Sequence, residues 1–146
     1  MSNKYYANIK SQKHPLKFAI AKKVPLLGVC RGMQLINNFF GGSVVQNDNN
    51  KHVGNNHAIK ILDPNISSIL RTDSIVVNSY HSNLITGDVL ASELTSVAID
   101  ETDNSIECLL HEKYPILGVM WHPERNPDKN NKTILQYFFN ELTHDK

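Results

Sequence analysis

Two short runs, VPLLGV at residues 24–29 and ILGVMW at 116–121, are apolar almost from end to end. A strand with one wet face alternates apolar and polar residues, so an unbroken apolar run of this length reads as a strand covered on both sides. Two such strands call for a parallel arrangement in a sheet packed between helices. The other strand candidates, at 43–46, 58–62, 74–79, 95–100 and 105–111, are short and rich in β-branched residues, and most are bounded by Gly, Pro, Asn or Asp. Those in the middle of the chain alternate more and fit antiparallel pairing through turns such as Asp103-Asn104. Helical patterns cover 15–23, with Pro15 in its first turn, and 32–40, with Met33, Ile36 and Phe40 on one face before the Gly41-Gly42 stop. A third spans 130–143 through Ile134, Tyr137, Phe138 and Leu142.

The 146 residues suffice for one domain, and the formal net charge of +1 leaves no electrostatic footprint for nucleic acid or an acidic membrane. Two cysteines, Cys30 and Cys108, are too few for a disulfide scaffold. No apolar run reaches spanning length and the first residues lack a signal-peptide core, so the expected location is the reducing cytoplasm. The Asn-rich stretch 47–56 reads as a surface loop. His52 and His57, in and beside it, match no common ligand spacing and are expected to be solvated rather than metal-bound.

The first apolar run leads into "GVCRG", where Cys30 sits between Gly28 and Gly32 just before a helix. Strand, G-x-C-x-G, helix is the thiol form of the nucleophile elbow, a tight turn that holds its central residue in a strained conformation. The two glycines give the turn room. The helix N-terminus beyond it is expected to favour thiolate, and the backbone N–H of Arg31 is placed to donate to an oxyanion. Taken alone, the five residues equally suit a small apolar side chain ending a buried strand.

A base elsewhere in the chain changes the weighing. The second apolar run ends in "WHPER", with His122 at the strand end and Glu124 two residues on. If both strands are parallel in one sheet, Cys30 and His122 emerge at the same carboxyl edge. His122 is then able to take the thiol proton and return it to a leaving group, with Glu124 fixing the imidazole tautomer.

GVCRGMQ followed by GVMWHPE resembles the class I glutamine amidotransferase domain, and in particular its free-standing γ-glutamyl hydrolases (peptidase family C26). The phrase PLLGVCRGMQLINNFFGGSVVQ and the segment VNSYHS resemble the γ-glutamyl-γ-aminobutyrate hydrolase branch. VNSYHSN and GVMWHPER are also similar to the hydrolase of γ-glutamyl-CDP-amidate. The likeness runs from about Lys17 to Leu142. It implies an α/β fold: a flavodoxin-like three-layer sandwich with a mixed, mostly parallel sheet. It also implies Cys30 as nucleophile, His122 as general base and acid, and Glu124 as its orienting partner. Gln34, Ser79, Tyr80 and His81 would hold the glutamyl group, although a strand-end surface histidine is an equal reading of His81. The implied reaction is hydrolysis of a γ-glutamyl amide through a cysteine thioester, with no metal and no cofactor.

The family domain normally begins with a β-α-β unit whose glycine-rich loop supplies a second oxyanion donor. Here about 23 residues precede the first apolar run, and Gly28 is the first glycine. The expectation is therefore a single domain over 1–146 that lacks this unit. Loss of one donor costs roughly 3 kcal/mol of transition-state stabilisation in comparable sites. The expected partners are a small γ-glutamyl substrate and either a second copy or another chain completing the sheet. A non-catalytic remnant and a glutaminase subunit dependent on a partner are the competing expectations.

Overall fold

The computed structural model describes residues 14–46, 53–125 and 128–142. Its centre is a six-stranded sheet ordered β1-β8-β7-β6-β3-β4, formed by β1 (Leu26–Val29), β3 (Val53–Ile61), β4 (Ser74–Tyr80), β6 (Leu94–Asp100), β7 (Ile106–His111) and β8 (Ile116–Val119). A two-stranded ribbon of β2 (Val45–Gln46) and β5 (Asn83–Leu84) stands apart from it.

The two apolar runs are neighbours, parallel and in register, with Leu26 opposite Ile116 and Val29 opposite Val119. Every other pairing in the six-stranded sheet is antiparallel. The sheet is mixed as expected, but its described part is less parallel than expected. The physical reason lies in the connections: β6 and β7 are joined by a tight turn, as are β7 and β8, and a chain that reverses within a few residues returns antiparallel.

Helices cover both faces, making three layers. On one face, α1 (His14–Lys22) and α2 (Arg31–Phe39) bury Leu16, Ala19, Met33 and Ile36 against Ile106, Leu109, Ile116 and Met120. On the other, α3 (Pro64–Leu70) and α4 (Lys129–Tyr137), with the wider turn Phe138–Leu142, bury Ile66, Ile134 and Phe138 against Ile59, Val77, Leu117 and Val119. β8 therefore alternates between two cores, which is why its sequence looks continuously apolar. Gly118 lets α2 approach this strand: a Cβ there would lie 2.9 Å from both Met33 Cγ and Leu109 Cδ1.

Sequence periodicity misses α3, which is only seven residues long. Its start is nevertheless encoded: Asp63 Oδ1 accepts from the amides of Asn65 (2.8 Å) and Ile66 (3.1 Å), with Pro64 following it. The Asn-rich stretch is also corrected. Residues 47–52, with His52, lie outside the described residues, while 53–56 are the start of β3 and pair with β4. No helix among the described residues is long and apolar enough to cross a membrane.

Candidate active site

β1 delivers Cys30 one residue beyond the sheet, where its amide donates to the Val119 carbonyl of β8 at 2.7 Å. The next residue starts α2, so the backbone must turn at Cys30 itself, which adopts φ 55° and ψ −103°. A non-glycine residue at positive φ is strained and persists only when its surroundings hold it there. Gly28 explains how the turn closes. A Cβ on it would lie 2.8 Å from the carbonyl carbon and oxygen of Gly32 and 2.5 Å from Ile36 Cδ1. Gly32 differs, since a Cβ there would meet nothing within 4 Å. The room is needed at Gly28, whereas a side chain at Gly32 would meet open space.

The Cys30 thiol is pushed above its ordinary value, chiefly by burial. The Arg31 amide hydrogen bond to the sulfur lowers it, the Glu107 carboxylate raises it, the Arg125 guanidinium lowers it and Glu124 raises it. The helix N-terminus does favour thiolate through the Arg31 amide, but desolvation outweighs it and the net shift is upward. Cys108, fully buried in β7, is pushed up much further by burial, by Glu107 and by Asp63.

β8 ends at Val119, and His122 follows as the sheet gives way to a single tight turn, Pro123–Arg125. His122 Nδ1 lies 2.5 Å from Glu124 Oε1. The imidazole is mostly covered and the carboxylate largely exposed, with side-chain exposures of 18% and 57%. Sequence reasoning misses what holds this histidine. The Asn78 side chain of β4 accepts from the His122 amide (2.8 Å) and donates to the His122 carbonyl (2.9 Å). Alternation along β4 would turn Asn78 outward, yet it is buried beside Val77 and Ser79. No local pattern signals a clamp that spans 44 residues.

The glutamyl-binding candidates divide. Gln34 is half-buried one turn into α2, with Nε2 3.7 Å from Met120 Sδ. Ser79 is buried, while Tyr80 is 44% exposed and stands edge-on to His122, ring centroids 5.8 Å apart. His81 is not a surface histidine: it is buried, with Nδ1 3.0 Å from the Asn83 carbonyl and Nε2 3.9 Å from Glu107 Oε1.

Glu107 belongs to a buried polar chain that no sequence pattern signals. His57, expected in solvent, sits in β3 with Nδ1 2.6 Å from Asp100 Oδ2 and Nε2 3.3 Å from Glu107 Oε1. The ligand atoms of these three residues lie within 4.8 Å of one another, a donor set for a metal ion by proximity alone. His57, however, turns a different nitrogen to each carboxylate, so one cation cannot replace both contacts. An imidazole set between two acids offers one ring nitrogen to each of them.

Comparison with known proteins agrees with this fold. The chain matches the glutamine amidotransferase class-I family over residues 4–142. It is 30% identical over 141 residues to the γ-glutamyl-CDP-amidate hydrolase of Campylobacter jejuni, covering 92% of this chain and 63% of that protein. It is 29% identical over 135 residues to anthranilate synthase component 2 of Saccharolobus solfataricus, covering 84% and 63%. A Thermoplasma acidophilum protein assigned to a GMP synthase superposes with a TM-score of 0.71 at 26% identity, over 88% of this chain and 62% of that one. The chain thus spans about three-fifths of the length of each of these proteins.

Proposed function

Taking as premise that the chain belongs to the class I glutamine amidotransferase family, we propose that it hydrolyses γ-glutamyl amides through a thioester on Cys30, as a hydrolase of the peptidase C26 kind. The observation that carries the reading is the register of β1 and β8. Val29 lies opposite Val119 in parallel, so the strained Cys30 and the His122–Glu124 pair belong to one carboxyl edge.

On this reading His122 accepts the Cys30 proton as sulfur attacks the γ-carbonyl carbon. A thiol held neutral at rest requires a base for that step. The tetrahedral oxyanion is met by the Arg31 amide, which bonds the sulfur in the free protein. His122 then protonates the departing amine nitrogen, the C–N bond breaks, and a glutamyl thioester remains. Water, deprotonated by the same imidazole, attacks the thioester, and glutamate leaves as sulfur recovers its proton. Gln34 and the Ser79–His81 segment hold the glutamyl α-amino and α-carboxylate groups. His81 acts there through its backbone, because its ring is turned into the protein.

The test is intact-mass spectrometry after incubation with 6-diazo-5-oxo-norleucine, a glutamine-shaped electrophile, beside Cys30→Ala. One adduct on wild type and none on the variant is expected, followed by amine release from γ-glutamyl amides at a rate that Cys30→Ala abolishes. A folded wild-type protein that takes no adduct overturns the reading. The similarity to anthranilate synthase component 2 supports a second one, a glutaminase that works only with a partner chain. That reading predicts an adduct without turnover of any γ-glutamyl amide by the isolated chain.

A further inference from the structure

Glu107 is fully buried next to the candidate active site, and the chemistry assigned to Cys30 and His122 gives it no part. Its carbonyl accepts from the Met120 amide at 2.8 Å, so it lies against the chain just before His122. Two of the glutamyl-binding candidates converge on the same place. His81 brings Nε2 to 3.9 Å from Glu107 Oε1, and Gln34 reaches Sδ of that same Met120. The other buried acid of the polar chain, Asp100, is well supplied. Its Oδ1 accepts from the Thr102 hydroxyl and amide and from the Asp103 amide, while His57 Nδ1 lies 2.6 Å from Oδ2. Glu107 is left with the longer contacts, 3.3 Å to His57 and 3.9 Å to His81, both at Oε1. Its Oε2 has no hydrogen-bond partner among the described residues.

A carboxylate taken out of water is costly until donors and positive charge offset it, and Glu107 is short of both. A γ-glutamyl substrate brings one cation in its acyl half, the α-ammonium. That nitrogen is four bonds from the carbonyl carbon that the sulfur attacks, within about 5 Å of it. Glu107 acts on the sulfur by charge rather than by a hydrogen bond, as an acid one short acyl chain away from the nucleophile does. Where water is excluded, such a charge is felt across several ångströms. We propose that Glu107 is the counter-charge for the substrate's α-ammonium and selects glutamyl groups whose α-amino group is free. The inference rests on the cleavage reading above and deepens it by naming a residue that chooses the acyl half. It also links recognition to reactivity. An arriving ammonium offsets one of the charges that push the Cys30 thiol up, so the thiolate forms more readily once a glutamyl group is bound.

Binding tests the counter-charge apart from turnover. Calorimetry on Cys30→Ala compares L-glutamine with glutaramate, the same amide without its α-amino group. Glutamine is expected to bind about 10- to 100-fold tighter, the range of one charge-assisted contact. With Glu107→Gln added, that ratio should fall towards one. General damage to the buried chain would weaken both ligands alike, so a ratio that survives the substitution overturns the proposal. Equal binding of the two ligands to Cys30→Ala, or no binding of glutamine, overturns it without recourse to Glu107→Gln. If Glu107→Gln does not fold, Glu107→Asp keeps the charge but draws it back by one methylene. It should retain only part of the preference, and an undiminished ratio rules the role out.

The same division should appear in cleavage. Wild type is expected to prefer γ-glutamyl-p-nitroanilide to glutaryl-p-nitroanilide, and Glu107→Gln to lose that preference. A binding preference that Glu107→Gln abolishes, in a protein that cleaves no γ-glutamyl amide, supports the counter-charge and overturns the cleavage reading alone.

Discussion

The two halves of the sheet treat polar groups in opposite ways. The parallel pair β1–β8 is apolar along its length and places polar chemistry only beyond its ends: Cys30 in a strained turn, and His122 backed by a largely exposed carboxylate. The antiparallel half takes Asn78, His57, Asp100 and Glu107 into its interior and ties them to one another or to backbone. A nucleophile and its base must be reachable and free to exchange protons, whereas the groups that aim them must not move. The division assigns reactivity to the strand ends and rigidity to the antiparallel side, and substitutions in each half should fail differently.

The largest effect is expected at the strand ends and should spare stability. Cys30→Ala and His122→Ala should each lower γ-glutamyl amide hydrolysis by roughly 10³-fold or more, as losses of a nucleophile or base do elsewhere. Urea unfolding should show both variants within about 1 kcal/mol of wild type, because neither side chain anchors a core. Unfolding of either variant at a much lower urea concentration would break the comparison.

Glu107 should behave in the opposite manner. It is fully buried and faces His57, so Glu107→Leu leaves an imidazole and Asp100 without the acid that completes their arrangement. Breaking a buried charged set by deleting one member costs about 3–5 kcal/mol, read as a lower urea midpoint. The milder Glu107→Gln probes the link between the halves. Removing a negative charge that pushes the Cys30 thiol up should move its alkylation by iodoacetamide to lower pH. An unchanged alkylation profile would show that the halves are electrostatically independent.

What is legible in the sequence follows the same division. The strand-end residues stand out because an elbow and a strand-terminal histidine are local patterns, each readable within about six residues. The three-layer arrangement is also local in origin, since doubly covered strands cannot alternate. The supporting groups are not readable in this way. His57 reaches Asp100 and Glu107 across β6 and β7, and Asn78 reaches His122 from β4, so each role exists only once the strands are paired. An Asn-rich stretch normally leaves the sheet, which points His57 towards solvent, yet here β3 begins inside that stretch. Sequence overstates the parallel share for a related reason: residue composition reports double burial, but strand direction is set by the length of each connection.

Asn78 tests how far the rigid half reaches into chemistry. Asn78→Ala removes two hydrogen bonds that clamp the backbone of His122, a loss of about 2 kcal/mol at roughly 1 kcal/mol per bond. Modification of Cys30 by the glutamine analogue should persist, since no part of the clamp touches the elbow, while kcat falls about 10-fold as the imidazole loses its fixed position. Asn78→Asp retains an acceptor for the His122 amide and should recover part of the stability. If kcat stays at the wild-type value, the clamp is structural only.

The smallest effect is a pH dependence confined to the antiparallel half. Burial raises the Asp100 carboxyl and the Asp103 charge adds to the rise, but the hydrogen bonds from the Thr102 hydroxyl and amide, helped by the Asp103 amide, outweigh them together and leave the group below its ordinary 3.8. Such a carboxylate contributes stability in full above that ordinary value, and the contribution is lost as pH falls through the lower folded one. Urea midpoints should therefore show no pH dependence from Asp100 between pH 7 and 5 and should decline below about pH 4. Thr102→Val removes the 2.6 Å hydroxyl bond, which should cost about 1 kcal/mol at neutral pH and flatten the acid decline. A variant that keeps the full acid dependence would assign it to other carboxylates. Cleavage at neutral pH should respond little, because Asp100 faces His57 rather than the strand-end residues.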